Sequence, residues 1–221
     1  MSKRFVVSYS CGKDSTLALY RMIKEGHTPV ALLTTVNKKV SRSWFHGVPK
    51  ELLDEVSKSL NIPIHLVNCE GEEYKDAFTK ALIELKENFG IEACVFGDID
   101  LEAHREWCSE RCDEAGIEAI FPLWLENREK LTYEFIDSGF KTVIKNVRLD
   151  DLTTGFLGRQ LTREVVQDII KTGSDACGEN GEYHTFVFDG PIFNFPVKFK
   201  HNGIITNETH GFLDINGVEN E

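Results

Sequence analysis

Residues 4–15 read Arg4-Phe5-Val6-Val7-Ser8-Tyr9-Ser10-Cys11-Gly12-Lys13-Asp14-Ser15, and this stretch decides how the rest is read. Phe5-Val6-Val7 is a short apolar run of aromatic and β-branched residues, the composition of a buried strand. Beyond the turn, Leu19, Met22 and Ile23 recur at helical spacing until Gly26 stops them. At such a strand–turn–helix junction the free N–H groups of the helix start, aided by the macrodipole, favour an anion. Gly12 lets the backbone approach a ligand closely, Lys13 adds a positive charge, and Ser10 and Ser15 add hydroxyl donors. The turn therefore reads as a phosphate cradle. It is not the G-x-x-x-x-G-K-[ST] loop, because Val7 stands at the upstream glycine position and Asp14 follows Lys13. It is not G-x-G-x-x-G either. A carboxylate beside a phosphate site makes sense when a cation bridges the two, so ATP with Mg²⁺ is expected, with Asp14 as the metal ligand.

Working outward, the next residues alternate between strand-like and helix-like segments. Strands are expected at Pro29 to Val36, Ile64 to Val67, Glu92 to Phe96 and Glu118 to Phe121. Helices are expected at Asp14 to Glu25, Pro49 to Leu60, Tyr74 to Asn88 and Glu102 to Ala115, with a polar loop from Lys38 to His46. Short buried strands separated by helices imply βαβ units, hence an α/β fold with five core parallel strands and helices on both faces. The pattern changes after about residue 125. A helix is expected at Glu129 to Asp137, a strand at Lys141 to Val147 and a helical face at Val165 to Lys171. From Ser174 the chain is rich in Gly, Phe and Asn, with extended stretches at Tyr183 to Phe188 and Pro196 to Lys200. Residues 1–125 are expected to form the α/β domain, and residues 126–221 a smaller C-terminal α+β subdomain. Ligands of open α/β sheets bind beyond the carboxyl ends of the strands, where a second lobe would close the pocket.

Composition narrows the function. The 221 residues include 25 Lys and Arg against 36 Asp and Glu, a net charge of -11. So acidic a surface repels phosphate backbones and argues against nucleic-acid partners. No run approaches the roughly 18 apolar residues of a membrane span. The only apolar stretch near the N-terminus, Phe5-Val6-Val7, falls short of the roughly 7 to 15 residues of a signal peptide. A cytoplasmic protein without a membrane partner is expected. The six cysteines form no C-x-x-C pair and read as small buried hydrophobes. His104, Cys108 and Cys112 share one helix face, but the outer two lie about 12 Å apart along the axis, too far for one metal.

Ser10-Cys11-Gly12-Lys13-Asp14-Ser15 resembles the loop of the PP-loop ATP pyrophosphatases, which usually read Ser-Gly-Gly-x-Asp-Ser. Cys11 stands where that family has a glycine. The resemblance implies a Rossmann-like sheet and cleavage of ATP between its α and β phosphates. It places the pyrophosphate on Ser10, Cys11, Gly12, Lys13, Asp14 and Ser15. The adenosine falls near the ends of the first, second and fourth strands, at Ser8, Thr34, Gly97 and Asp98.

Further segments point to one branch. Gly97-Asp98-Ile99, then His104-Arg105, Pro122-Leu123-Trp124 and Glu179-Asn180-Gly181-Glu182-Tyr183-His184-Thr185 resemble the diphthine–ammonia ligase family, over roughly residues 4–190. In that family the last segment has the form E-G-G-E-Y-E-T, so Asn180 replaces a glycine and His184 a glutamate. The resemblance implies an ATP-dependent ligase that adenylates a carboxylate, releases pyrophosphate and amidates the carboxylate with ammonia. The acceptor would be diphthine on elongation factor two or a small molecule. Lys13, Asp14, Glu179 and Glu182 would be catalytic, and His46, His104, Arg105, Asn180 and Tyr183 would face the substrate. Read from the residues alone, Glu179 and Glu182 flank a turn dipeptide and could hold Mg²⁺, orient ammonium or accept a proton. Arg105 could hold a phosphate or carboxylate. An ATP- or AMP-binding sensor, or an ATP pyrophosphatase with another acceptor, are the alternatives. A homodimer is compatible with the sequence without being specified by it.

Overall fold

The computed structural model describes residues 2–44 and 46–218. The first strand, β1 (Arg4–Ser8), leads into α1 (Lys13–Lys24), followed by β2 (Thr28–Asn37), α2 (Lys50–Leu60), β4 (Ile64–Cys69), α3 (Tyr74–Phe89), β5 (Ala93–Val95), α4 (Glu102–Ala115) and β6 (Glu118–Ile120). The five strands run parallel in the order β4-β2-β1-β5-β6. A two-residue strand, β3 (Arg42–Ser43), pairs antiparallel with the far end of β2.

Alternation of side chains explains the layers. In β1, Phe5 and Val7 face one way into a core shared with Leu17, Met22, Leu52 and Val56 of α1 and α2. Val6, between them, faces the other way into a core with Phe78, Leu82, Cys108 and Cys112 of α3 and α4. In β5, Ala93 and Val95 join the first core and Cys94 the second. Helices thus cover both faces, and the crevice opens where β1 and β5 part, because the connections leave those strands toward opposite edges.

The remainder is built differently. After α5 (Arg128–Asp137) come β7 (Lys141–Arg148), α6 (Arg163–Lys171), β8 (Tyr183–Asp189), β9 (Phe199–Thr206) and β10 (His210–Gly217). Its sheet is antiparallel in the order β8-β7-β10-β9. Its apolar side, including Ile144, Val147, Phe186 and Ile215, belongs to the same continuous core as Phe5 and Val7. The Val187 N–H donates to the Cys11 carbonyl at 2.9 Å, so β8 is tied to the β1–α1 turn.

Three sequence expectations are corrected. Residues 38–46, read as loop, contain β3. The extended stretch placed at Pro196 to Lys200 begins at Phe199 and runs on to Thr206. The strand β10 was not expected at all. β9 is exposed along most of its length, so it carries no apolar alternation to reveal the hairpin it makes with β10. Among the described residues no helix is long and apolar enough to cross a membrane.

Candidate active site

The turn between β1 and α1 is held by its own side chains. Ser10 and Ser15 place their hydroxyls 3.1 Å apart, and the Gly12 N–H donates to Ser10 Oγ at 3.2 Å. The Lys13 N–H donates to Thr185 Oγ1 of β8 at 3.0 Å. Several groups read from sequence as free anion donors therefore brace the turn. Cys11 adopts φ +63°, the left-handed region in which the resembling family carries glycine, and its side chain is fully buried. The apolar pocket under the turn compensates the strained backbone.

The turn forms one end of a cavity of about 480 Å³ at the carboxyl ends of the parallel strands. Ser8, Ser10, Lys13, Asp14 and Ser15 line that end. Gly97 and Asp98, past β5, and His104 of α4 line its side. Tyr183 and Glu179 face them from the second sheet and its preceding loop, together with His46 from the β3–α2 loop. Lys13 is 4% exposed, lies 2.7 Å from Asp14 Oδ2 and sits over the Tyr183 ring. Burial works to lower its pKa, but Asp14, with Cys177 and Tyr183, outweighs burial and holds the ammonium well above its ordinary range. Cys177, buried beneath, points its thiol at Asp14 Oδ1 from 3.4 Å.

Glu179 is the carboxylate most altered by its surroundings. Burial, then the like charge of Asp14, pushes its pKa up to about 7, while Ile99 donates its N–H to Oε1 at 3.2 Å. His104 Nδ1 lies 3.2 Å from Asp98 Oδ1, and that hydrogen bond raises the imidazole pKa. Burial, then the neighbouring His184, drives the His46 pKa well down, and its Nδ1–H donates to the Thr185 carbonyl at 2.9 Å. Burial, then Lys13, lowers His184 to about 4. The two imidazole rings lie 4.6 Å apart and are both neutral near pH 7.

Six expected residues do not line the cavity. Cys11 and Gly12 lie behind the turn they shape. The Thr34 hydroxyl is buried and donates to the Tyr9 carbonyl at 2.6 Å. Arg105 stacks on Trp124 at 4.8 Å and lies 3.7 Å from the Glu102 carboxylate, outside the cavity lining. Glu182 is 5% exposed and accepts from both the N–H and the side-chain amide of Asn180 at 3.0 Å, so the two brace the loop. Gly97 lines the cavity, but a Cβ there would meet the backbone of Asp14 and Ser15 at 2.8 and 2.7 Å. Its missing side chain admits the start of α1.

Residues unmarked in the sequence complete the walls. His184 and Thr185 belong to the segment quoted for the resemblance, and that was their signal. Tyr74, Phe78, Phe96 and Trp107, whose rings contact one another, form an aromatic part of the wall. Phe78 reads as part of a helical apolar stripe and Phe96 as the end of a buried strand, so both look like core. The usable signal was that Tyr74 opens α3 a few residues past the carboxyl end of β4. Among the described residues no group of three His, Cys, Asp or Glu side chains is arranged to hold a metal ion.

A parallel sheet with a phosphate-type turn at its crevice, faced by a second sheet whose preceding loop supplies a half-buried carboxylate, defines an α/β protein with a ligand-sized cavity at its switch point. The chain belongs to the diphthamide synthase family, matching its N-terminal domain over residues 3–119 and its C-terminal domain over residues 127–220. It is similar to the diphthine–ammonia ligases of Bos taurus, at 24% identity, and Homo sapiens, at 25%, each match covering 96% of this chain and 88% of the relative. The enzyme of that name from Schizosaccharomyces pombe is 25% identical over 90% of this chain, which accounts for 36% of that longer protein.

Proposed function

We propose that this protein couples the cleavage of ATP to AMP and pyrophosphate to the amidation of a substrate carboxylate by ammonia. Diphthine, named in the relatives' activity, is the acceptor this reading favours. One observation carries the proposal: a single cavity is lined by residues of the Ser10–Ser15 turn, by a cluster of aromatic rings and by Glu179. The polar end fits a polyphosphate, and the rings of Tyr74, Phe78 and Trp107 fit a flat base. Residues 1–125 would carry the nucleotide and residues 126–221 would close over the acceptor. Six free cysteines are in keeping with a reducing, cytoplasmic location.

In this reading a carboxylate oxygen of the acceptor attacks the α phosphorus and the bond to the bridging α–β oxygen breaks. Pyrophosphate leaves with the electron pair. Ammonia then attacks the acyl carbon, AMP departs, and the surplus proton passes to a nearby base. Lys13 and the start of α1 would stabilise charge growing on the departing pyrophosphate. For that, the Lys13 ammonium must exchange Asp14 for phosphate oxygens. Glu179, poised to titrate near neutrality, is suited to hold ammonium or take its proton. The donor set fits magnesium only in part, since Asp14 would need phosphate oxygens to complete an octahedral shell. When bound, Mg²⁺ would neutralise phosphate charge. Product analysis tests the reading: carboxylate and ammonium together should elicit AMP and pyrophosphate in equal amounts, and stoichiometric ADP would refute it.

A further inference from the structure

Arg128 opens α5, the wrong end of a helix for a cation, because the N-terminal dipole repels it. A residue that breaks a local rule has its reason elsewhere in the fold. Its guanidinium forks onto Asp100, donating from Nε and Nη2 to the two carboxylate oxygens, and from Nη1 to Asp175 Oδ2 at 2.7 Å. Asp100 lies just past Gly97-Asp98 on the crevice loop of the parallel sheet. Asp175 lies on the loop that delivers Glu179. The Asp175 carboxylate in turn accepts from the N–H of Cys177 at 3.1 Å and of Glu179 at 3.2 Å. Glu179 Oε1 closes the circuit by accepting from the Ile99 N–H.

We propose that Arg128 is a positioning residue that clasps the two loops of the cavity and so fixes Glu179 against the Ile99 N–H. The geometry favours this over a surface ion pair. The Arg128–Asp100 contact is bidentate, Asp175 is only 14% exposed, and both acids are anchored to backbone that reaches the cavity within a few residues. Two loops that belong to separate sheets have independent ways to drift. One planar fork bound to both removes that freedom, and a displacement of about 1 Å at a reacting group is worth up to about a hundredfold in rate. The inference rests on the activity proposed above for its kinetic consequence, but not for its structural one.

The test is Arg128→Gln beside Arg128→Lys in the full chain, read in two independent ways. Amide hydrogen exchange needs no activity. The Ile99, Cys177 and Glu179 amides should exchange faster in Arg128→Gln, while amides of β1 and β5 stay protected. In the ligase assay kcat should fall by roughly 10- to 100-fold with KM for ATP within about twofold, and Arg128→Lys should recover part of the loss. Should Arg128→Gln fail to fold, Asp175→Asn replaces it with the same expected pattern. Unchanged exchange at those three amides overturns the clasp. So does a loss in KM for ATP alone. Altered exchange in a protein that forms no amide would uphold the clasp and count against the proposed activity.

Discussion

The imidazole of His46 occupies the space that a side chain on Gly12 would need. A Cβ at Gly12 would come within 2.5 Å of His46 Cε1. The ring cannot simply swing away, because its Nδ1–H is committed to the Thr185 carbonyl and its face meets His184. Glycine at position 12 thus serves the fit between the turn and the second sheet. Gly12→Ala should displace His46 and lower ligase activity well beyond any change in thermal stability. Activity assays beside thermal unfolding check this, and a fully active Gly12→Ala protein would show that the contact is idle.

Gly97 meets backbone instead of a movable side chain. A methyl group there must push the start of α1 off the sheet, since Ser15 N and the Asp14 carbonyl carbon lie within 2.8 Å. Overpacking of this kind costs about 1–3 kcal/mol, and backbone neighbours put it at the upper end. Gly97→Ala should therefore lower Tm by roughly 6–10 °C. Calorimetry reads this directly.

Glu179 makes stability depend on pH. Its folded pKa of about 7 lies above the ordinary carboxylate value, so the folded state holds the proton more tightly than the unfolded chain does. Between about pH 4.5 and 7 the folded state binds more protons, and stability from this group falls as pH rises. The penalty is absent below that window and complete above it, on the order of 2 kcal/mol after discounting for partial exposure. Glu179→Gln should stabilise the protein at pH 8, leave it unchanged near pH 4, and remove an activity inflection near neutrality. Denaturant melts across that range measure the first two effects and a pH–rate profile the third.

The two loop glutamates should separate cleanly. Glu182 braces Asn180 from a buried position outside the cavity, whereas Glu179 lines it. Glu182→Gln keeps one acceptor and should cost roughly 1–2 kcal/mol of stability with a kcat within about threefold. Glu179→Gln should do the opposite. Equal kinetic losses in the two variants would return Glu182 to the chemistry.

Much of the parallel sheet was legible because its signals are local: Phe5-Val6-Val7 ends at a turn, and Leu19, Met22 and Ile23 then mark a helix. Lys13, Asp14, Ser15 and Glu179 were legible because turn chemistry surrounds them. The β9–β10 hairpin escaped because an exposed edge strand needs no alternation. Arg105 and Glu182 carry functional residue types, but the sequence does not show that the fold sets Arg105 against Trp124 and Glu182 against Asn180, outside the cavity lining. The aromatic wall escaped for the converse reason, since Phe78 and Trp107 look the same at helical spacing whether they meet core or cavity. Arg128 carries no motif. Only the fold brings Asp100 and Asp175 to it.

The most direct measurement follows the fate of ATP labelled in its α phosphate, with acceptor and ammonium supplied, in the parent protein and in Lys13→Ala. The account predicts label in AMP, pyrophosphate in equal amount, and loss of both when Lys13 is removed. Label in ADP, or a Lys13→Ala protein that turns over ATP as the parent does, would contradict it.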